Sequence, residues 1–577
     1  MAETPVVAIA GSGPAVEAVE AALADADARV ERFDGTPPSS AVLAVVVAPC
    51  GARAFDQVHR TVECPWIAVE LGGVGGLPMA EVDAAVSVLD PDGGCFDCLR
   101  TRVHSNAKAD GTVEPRTTRS DARLAGAIAG RLVVSALDGD DVVGRVVELP
   151  YVERRFLPVP GCACEGDSSA ATELDRSYDD VPVEEAAARA EVAVDDRLGL
   201  VREIGEAHSF PAPYYLATLC DTTAFSDAEA GPMAAGVDVD WNAAFVKAVG
   251  EALERYGAGV YRESSFEVAA TNDLQDAVAP SSFVLSPDFE EPDPSEPIPW
   301  RRGESLHTGE SVHLPAEFVV FPPLVHRHAP SITTGLGLGS SVVGALLSGL
   351  YEVVERDATM LSWYSTFEPL GLSVEDETFE ALARRARSED LAVTSLLVTQ
   401  DVDVPVVTVA VHREDGWPRF AVGSGANLDP VAAASGALAE ALQNWMELRA
   451  MGPERAAEDD SAIARYAELP PDARSLLDVE TTVPASHLGS GDGSDAPTGA
   501  EALDALLGAL EAAGLSAYAA RLTPRDVERV GFEVVRVLVP GAQPLFTGDR
   551  FFGERARTVP RTLGFRPRLD RPPHPYP

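Results

Sequence analysis

The amino-acid sequence predicts an α/β N-terminal domain of Rossmann-like order, followed by a larger domain that combines helices with β-sheets. Three observations lead to this prediction. The chain has 577 residues, long enough for more than one buried core. Its start, up to Phe33, has the pattern of a strand, a glycine turn, a helix and a second strand. Much later, three helical segments repeat one acidic pattern, and β-rich segments at Leu396–His412 and Phe420–Ala426 precede the third.

The N-terminal domain begins with the apolar run Val6–Ala10, which predicts a buried strand. Gly11-Ser-Gly-Pro14 then turns into a helix pattern through about Leu23. This order is similar to that of dinucleotide-binding folds, but Val16 stands where GxGxxG needs its third glycine. We therefore favour a Rossmann-like scaffold without its ligand over a nucleotide site. Further strands are predicted at Ala28–Phe33, Ala41–Val47 and Trp66–Glu70.

Four of the seven cysteines form two close pairs, Cys95-Phe-Asp-Cys98 and Cys162-Ala-Cys164. Two such pairs can supply four thiolates to a closed tetrahedral zinc site, which stabilises structure and leaves no open position for chemistry. The alternative is four buried or free thiols. An odd number of cysteines does not suggest a disulfide framework. No role is assigned to Cys50, Cys64 or Cys220.

The chain is strongly acidic, with 91 Asp and Glu against 45 Lys and Arg and a formal net charge of −46. Because the acid is dispersed along the whole chain, it predicts a surface adapted to high salt and a halophilic source. The negative charge also excludes nucleic acid as a partner, because it would repel the phosphates of nucleic acid. The longest apolar run, near Ala41–Ala48, is far shorter than the ~20 residues of a membrane span. No secretory signal is present, so we expect a cytoplasmic protein without membrane contact.

Composition also suggests where the domains divide. Glu165–Asp195 is rich in Asp, Glu, Ser and Ala and has few large apolar residues, which indicates a linker with a short helix near Val183–Val192. We therefore predict an N-terminal domain at residues 1–165, an acidic linker at 166–195 and the second domain at 196–577.

The second domain is organised around the three helical segments with the repeated acidic pattern. In the middle one, an apolar stripe from Val343 to Val354 lies opposite Ser348, Glu352 and Glu355 at about 100° per residue. A single such helix is ordinarily an amphipathic helix with a solvated acidic face. Three repeats are explained more simply if the carboxylates face one another around Mg²⁺, which takes hard oxygen ligands and substrate phosphates. The pattern comprises Glu251, Glu254 and Arg255, then Glu352, Glu355 and Arg356, then Glu440 and Gln443.

The glycine-rich segment Gly335–Gly339 precedes the middle helix and predicts a turn whose backbone N–H groups face an anion. No Walker GxxxxGK[ST] motif occurs, which excludes an ordinary P-loop. Arg536, Arg555 and Arg557 are candidates for phosphate or nucleotide contact, the alternative being surface ion pairs.

The three helix motifs together resemble the YcaO family of ATP-dependent enzymes that modify peptide backbones. The resemblance runs from about Asp195 to the C-terminus and implies an α+β domain with helices packed on β-sheets. It implies ATP and Mg²⁺ as cofactors, a ribosomal precursor peptide as partner, and Glu254, Glu352 and Glu355 as Mg²⁺ ligands. The cofactor-binding residues that it implies are Glu251, Glu254, Arg255, Ser348, Glu352, Glu355, Arg356, Glu440 and Gln443.

The segments around the cysteine pairs resemble the ubiquitin-activating-like (ThiF-like) domain of azole and azoline cyclodehydratases, which serves as a scaffold and helps to present the peptide. Fused members commonly begin with a small winged-helix module that binds the leader peptide, whereas this sequence begins at once with the Val6 strand. A separate leader-binding protein is therefore one expectation, and a different mode of leader binding is the other. A dehydrogenase partner and a homodimer are further expectations.

The sequence ends Pro572-Pro-His-Pro-Tyr-Pro577. Its alternating prolines Pro573, Pro575 and Pro577 resemble the tail of azoline-forming YcaO enzymes, in which a rigid segment carries its terminal carboxylate into the active site. The alternative is a disordered polyproline tail. In both cases we expect the tail to bury little of the core.

The sequence and the resemblance together predict an ATP- and Mg²⁺-dependent cyclodehydratase. A Cys, Ser or Thr side chain of the peptide would attack the preceding carbonyl, the oxyanion would take the γ-phosphoryl group, and phosphate would leave to give a thiazoline or oxazoline. One alternative is a thioamide-forming YcaO enzyme that uses external sulfide. Another is a non-catalytic scaffold that binds the precursor peptide, favoured by the absence of the lysine that relatives carry before the first motif helix.

Overall fold

The computed structural model describes residues 4–107, 114–166, 173–474, 476–488 and 496–577. No helix in these ranges is both long and apolar enough to cross a membrane. The strands up to residue 166 are β1 (Val6–Ala10), β2 (Arg29–Arg32), β3 (Ala41–Pro49), β4 (Trp66–Leu71), β5 (Gly73–Val74), β6 (Leu77–Pro78), β7 (Ala84–Leu89), β8 (Arg145–Leu149) and β9 (Val152–Arg155). The helices up to residue 192 are α1 (Pro14–Ala24), α2 (Arg53–His59), α3 (Phe96–Asn106), α4 (Arg119–Leu137) and α5 (Val183–Val192).

The rest of the described chain carries more strands and helices. Its strands are β10 (Val201–His208), β11 (Tyr214–Leu219), β12 (Met233–Val237), β13 (Glu267–Ala270), β14 (Pro297–Ser305), β15 (Ser311–Pro315), β16 (Leu336–Gly339), β17 (Leu370–Ser373), β18 (Ala392–Leu397), β19 (Val406–His412), β20 (Phe420–Ala426), β21 (Thr482–Pro484), β22 (Tyr518–Arg521) and β23 (Glu533–Leu538). Its helices are α6 (Trp241–Gly259), α7 (Ala316–Val319), α8 (Val342–Trp363), α9 (Glu377–Ser388), α10 (Pro430–Met451), α11 (Pro453–Ala456), α12 (Ala462–Tyr466), α13 (Pro471–Arg474), α14 (Gly499–Ala512), α15 (Arg525–Arg529) and α16 (Arg555–Thr562).

The N-terminal part is built on one seven-stranded sheet of order β2-β1-β3-β4-β7-β8-β9. The pairs among β2, β1, β3 and β4 are parallel, and β7, β8 and β9 add antiparallel strands. Helices α1 and α4 pack so closely that a Cβ at Gly126 would lie 2.1 Å from the Ala15 carbonyl oxygen. This order confirms the predicted α/β fold class and its first strand–turn–helix–strand unit.

The second part contains three further sheets of three, six and five strands. Strands β12, β16 and β20 each lie at the end of the strand order of their own sheet. Each is followed along the chain by one of the acidic helices, α6, α8 or α10, which packs on it. The predicted helices packed on β-sheets are therefore confirmed, and they form three equivalent β-α units.

A glycine in each unit allows the helix backbone to lie directly on the strand. A Cβ at Gly236 would lie 2.4 Å from the Ala244 carbonyl oxygen, and a Cβ at Gly337 would lie 2.2 Å from the Ala345 carbonyl oxygen. A Cβ at Gly425 would lie 2.5 Å from the Ala433 carbonyl oxygen. In all three units the glycine precedes the first glutamate of the helix by the same separation, as Gly236–Glu251, Gly337–Glu352 and Gly425–Glu440 show. The internal repeat therefore extends from the acidic pattern to the strand before it.

The prediction of an anion-binding turn at Gly335–Gly339 is wrong. Residues Leu336–Gly339 form β16 and pair antiparallel with β23, so most of this segment belongs to a sheet edge. The glycines are needed because α8 folds back onto the strand at contact distance. The helix itself begins after Ser341, whose hydroxyl accepts a hydrogen bond from the Gly344 N–H at 3.2 Å.

The three β-α units close into a ring. Helix α6 packs on its own strand β12 and on β16, α8 packs on β16 and β20, and α10 packs on β20 and β12. Each helix thus connects two successive units, and the faces that carry the glutamates converge between them.

The N-terminal part and the second part share one buried core. Leu99 and Val103 of α3 belong to the same cluster as Leu253 of α6 and Val527 of α15. Helix α5, at the predicted position inside the proposed linker, packs on α6. Residues 167–172 of that linker lie outside the described residues, and the division of the chain into domains stays a prediction.

Replacing Gly337 by alanine should destabilise the protein by about 1–3 kcal/mol, because the new methyl group would force β16 and α8 apart. Gly508 in α14 is the matched control, since a Cβ there meets no atom within 4 Å. Gly508→Ala should instead stabilise the protein by about 0.5–1 kcal/mol through helix propensity. Urea unfolding of both variants measures this, and equal midpoints would contradict the close-packing argument.

Candidate metal and nucleotide site

The first glutamate of each motif is anchored to the backbone at or beside the strand that precedes its helix. Glu251 accepts a hydrogen bond from the Ala235 N–H at 2.8 Å, and Glu440 accepts one from the Ser424 N–H at 2.6 Å. Glu352 accepts one from the Gly335 N–H at 3.0 Å. The strand edge thereby fixes the three carboxylates on the inner side of the ring.

The second glutamates, one helical turn further on, lie between neighbouring units. Glu254 faces Glu352 and Glu251. Glu355 accepts a hydrogen bond from the Ser424 hydroxyl at 2.6 Å, so α8 and β20 are joined at this point. The structure therefore brings together Glu254, Glu352 and Glu355, which were predicted as metal ligands.

Two arginines of the motifs neutralise part of this charge. Arg356 lies 3.5 Å from Glu355 Oε1 and 3.8 Å from Glu352 Oε1, and its side chain is 14% exposed. Arg255 pairs with Glu251 and donates to the Met233 carbonyl oxygen at 2.6 Å. Both arginines hold glutamates of the motifs in place.

Arg536 of β23 is the third cation near the acidic cluster. It is 3% exposed and donates to the carbonyl oxygens of Thr333 at 3.0 Å and Ile332 at 2.9 Å. Burial lowers the pKa of Arg536 to about 10, opposed by the charges of Glu352 and Glu254. Of the three arginines proposed from the sequence as phosphate contacts, this one lies at the site.

Burial and mutual repulsion raise the pKa values of the clustered carboxyl groups. Burial, followed by the charges of Glu352 and Glu251, raises the pKa of Glu254 to about 8. Burial also raises the pKa of Glu440 to about 7, with Arg356 opposing this shift and Glu355 adding to it. A nearby cation would reverse these shifts, because it favours the ionised form.

The donor set fits Mg²⁺. The motifs contribute five glutamates, Glu251, Glu254, Glu352, Glu355 and Glu440, against the three arginines described above. Among the described residues, only the four cysteines have ligand atoms that all lie within 4.8 Å of one another. The glutamate oxygens are therefore more widely spaced. An open carboxylate site suits Mg²⁺, which keeps waters and binds substrate phosphates in addition to few protein groups.

Other predicted nucleotide residues take different positions. Gln443 donates to Glu447 at 3.1 Å, and the Tyr214 hydroxyl donates to the same carboxylate at 2.7 Å. Ser348 is exposed, one turn before Glu352 on α8. Sequence reasoning missed Ser424 and Glu447, although the repeated glycine-to-glutamate separation marks the strand that carries Ser424.

Arg555 does not lie free for a phosphate. Arg555 binds Asp357 of α8 with two hydrogen bonds, of 3.0 and 2.6 Å, and also binds Asp401. Arg557 is exposed on α16. The prediction of phosphate contact at Arg555 is wrong, because its guanidinium is already saturated by two carboxylates.

The C-terminal segment lies against the acidic cluster. Arg356 donates to a backbone oxygen of Pro577 at 3.3 Å. The expectation that the tail buries little is wrong, because His574 and Tyr576 are 2% and 1% exposed. The His574 ring donates through Nε2 to the Phe546 carbonyl oxygen at 2.6 Å, and burial lowers its pKa to about 4, which keeps it neutral. The side chains between the prolines are thus part of the core.

The four paired cysteines converge in the N-terminal part. Their sulfur atoms all lie within 4.8 Å of one another. Cys95 Sγ is 3.8 Å from Cys98 Sγ and 3.5 Å from Cys162 Sγ, and Cys98 Sγ is 3.5 Å from Cys164 Sγ. Four thiolates at about 2.3 Å from one zinc ion stand about 3.8 Å apart, so the observed separations fit such a site. The Val159 N–H donates to Cys98 Sγ at 3.2 Å.

Comparison with known proteins identifies a family. A sequence model described as YcaO cyclodehydratase, ATP- and Mg²⁺-binding, matches residues 235–543, more than half of the chain. An uncharacterized protein from the tfuA 3′ region of Rhizobium leguminosarum bv. trifolii is 29% identical over 44% of this chain and 63% of its own length. The match therefore spans just under two thirds of that relative. An uncharacterized Methanothermobacter thermautotrophicus protein is 28% identical over 53% of this chain and 81% of its own length.

Two solved structures share the fold of nearly the whole chain. A heterocyclase in complex with substrate and cofactor matches 97% of this chain and 83% of its own, with a TM-score of 0.73 and 21% identity. The heterocyclase TruD matches 97% of this chain and 82% of its own, with a TM-score of 0.65 and 19% identity. At these identities the likeness establishes the fold, including that of the N-terminal part.

Proposed function

Since the chain belongs to the YcaO family, we propose that it is an ATP- and Mg²⁺-dependent cyclodehydratase that closes Cys, Ser or Thr side chains of a ribosomal precursor peptide into azoline rings. The observation that carries this proposal is the contact of Arg356 with Pro577. It places the C-terminal segment beside Glu352 and Glu355, where the nucleotide and metal would bind.

Each group of the cluster has a distinct part in this proposal. Glu254, Glu352 and Glu355 would hold Mg²⁺, which would neutralise charge on the phosphates of ATP. Arg536 is buried next to these carboxylates and would face the same phosphates. Glu251 and Glu440, held by backbone N–H groups, keep α6 and α10 in register with their strands. Preorganised charge of this kind supplies most of the rate enhancement of phosphoryl transfer.

The C-terminal segment would supply the base. Cyclisation needs a proton removed from the attacking side chain or from the amide nitrogen, and a positioned carboxylate can accept it. The motif glutamates have arginine or backbone partners or would be occupied by the metal. A terminal carboxylate at Pro577, held by Arg356 and by the buried His574 and Tyr576, would be free to do so.

The cysteine cluster would hold a structural zinc ion in a ubiquitin-activating-like domain. Such a domain would present the precursor peptide and would not take part in the chemistry. A separate leader-binding protein, a dehydrogenase that oxidises the azoline, a homodimer, a cytoplasmic location and a halophilic source remain parts of the proposal that rest on the sequence.

A thioamide-forming enzyme is the second candidate. It would bind ATP and Mg²⁺ at the same acidic cluster. The C-terminal segment next to Arg356 has no assigned role in that reaction, whereas cyclisation would use it as the base. The mass of the peptide product separates the two, because cyclodehydration removes water whereas thioamidation replaces oxygen by sulfur. A non-catalytic scaffold would change no mass and hydrolyse no ATP.

Glu355→Gln should lower peptide-dependent ATP hydrolysis by about 10²–10³-fold, because it removes a negative charge that would bind Mg²⁺. Glu380→Gln on α9 is the control, since Glu380 is half-exposed and forms an ion pair with Arg387 on the same helix. Phosphate release and the loss of water from the peptide are measured together. Full activity of Glu355→Gln would contradict the assigned metal site.

Appending three residues after Pro577 should slow cyclisation by about 10²-fold or more, because the carboxylate would leave its position. The affinity for Mg²⁺ and ATP should change by less than about twofold. Deleting the tail is a poorer test, since Tyr576 is part of the core and its loss should lower thermal stability. An extended protein that cyclises peptide at the unmodified rate would remove the proposed base.

The purified protein should contain one zinc ion per chain, measured by elemental analysis. Cys98→Ser should lose it, because Cys98 Sγ lies 3.8 Å from Cys95 Sγ and 3.5 Å from Cys164 Sγ and would be one of the four zinc ligands. Cys64→Ser is the matched control, as Cys64 is a free cysteine outside the cluster. Protein without zinc, with all four thiols open to alkylation, would contradict the prediction.

A further inference from the structure

A buried polar network joins the N-terminal part to α6. The side chains of Arg102 on α3 and Asp526 on α15 are both 0% exposed and form an ion pair. The Tyr256 hydroxyl donates to Asp526 Oδ2 at 2.6 Å and accepts from Arg102 at 3.2 Å. Arg102 also donates to the carbonyl oxygens of Leu157 and Pro158, each at 3.2 Å. Four separate segments are therefore tied at one point.

Tyr256 lies on α6, two residues after Glu254, and so points about 200° away from it around the helix axis. The network thus holds the back of the helix whose front carries Glu251 and Glu254. A roll of about 20° about the axis would move a side-chain carboxylate by about 2 Å. Displacements of this order are enough to disturb ligand geometry. The hydroxyl of Tyr256 is placed to prevent that roll.

The same network adjoins the cysteine cluster on two sides. Arg102 follows Cys98 by four residues on α3, so the two side chains lie on the same face of the helix. The segment that Arg102 holds at Leu157 and Pro158 leads directly to Cys162 and Cys164. Arg525, the neighbour of Asp526, donates to Cys164 Sγ at 3.6 Å. A change at the cysteines therefore reaches both partners of the ion pair.

We propose that Arg102, Asp526 and Tyr256 are positioning residues that couple the cysteine cluster to the acidic cluster through the orientation of α6. An intact cysteine cluster holds α3 and α15 in place, these hold Tyr256, and Tyr256 keeps Glu254 facing the proposed metal site. The coupling rests on the proposed function, since it predicts an effect on binding of Mg²⁺ and nucleotide. By linkage, bound Mg²⁺ and nucleotide must in turn stabilise the cysteine cluster.

The test measures the dissociation constant of the non-hydrolysable analogue AMPPNP with Mg²⁺ by calorimetry, using the full chain. Tyr256→Phe keeps the ring and its packing but loses the hydroxyl, and it should weaken binding about tenfold, equivalent to about 1.4 kcal/mol. The control is Tyr261→Phe, just beyond the same helix, whose hydroxyl donates to the Pro322 carbonyl oxygen at 2.8 Å. It should lower the melting temperature similarly while changing the dissociation constant less than twofold.

A double-mutant cycle tests the connection to the cysteines. Cys164→Ser should weaken binding severalfold in the wild-type background and should add little in the Tyr256→Phe background, because both act on one network. Should Cys164→Ser fail to fold, Arg525→Met removes the contact with Cys164 Sγ while leaving all four cysteines in place. Equal binding by Tyr256→Phe and wild type, or effects that add fully, would overturn the coupling. Absence of binding by the wild-type protein would overturn the proposed function and the coupling with it.

Discussion

Closure of the three β-α units into a ring is the constraint on which the rest of the structure depends. Each acidic helix packs on its own strand and on the strand of another unit, so the position of any one unit fixes the others. The strands and helices approach to backbone contact, which only glycine permits at Gly236, Gly337 and Gly425. This approach brings the glutamates that follow close enough to accept hydrogen bonds from backbone N–H groups beside or within the strands.

The ring concentrates negative charge that the protein itself does not neutralise. Arg255, Arg356 and Arg536 offset part of it. Burial, together with the charge that remains, raises the pKa values of Glu254 and Glu440. A protein that needed only stability would replace such a cluster by apolar side chains, because buried charges cost more in desolvation than they return. The cost is understandable if a divalent cation and a polyphosphate complete the site. The net charge of the whole chain does not explain it, since the dispersed surface acid is solvated.

The sequence was informative where one local pattern has one structural solution. The first β-turn-α-β unit, the helix at Val183–Val192 and the convergence of the four cysteines could all be predicted. A run of glycines has several solutions, and at Gly335–Gly339 the contact with a helix folded back from later in the chain selects a strand. Arg555 and the tail were misjudged for a similar reason. Their partners, such as Asp357 and Phe546, are distant in sequence and leave no local signal.

The residues behind the glutamates show why the motifs alone do not define the site. Tyr256, Asp357 and Trp445 each follow the first glutamate of their helix by five residues and point away from the cluster. Tyr256 is held by Asp526, Asp357 by Arg555, and the Trp445 indole donates to the Pro418 carbonyl oxygen at 3.3 Å. The front of each helix repeats, as a metal and nucleotide site shared by all three helices would require. The back differs because each helix meets a different neighbour, which is α15 for α6, α16 for α8 and the segment at Pro418 for α10.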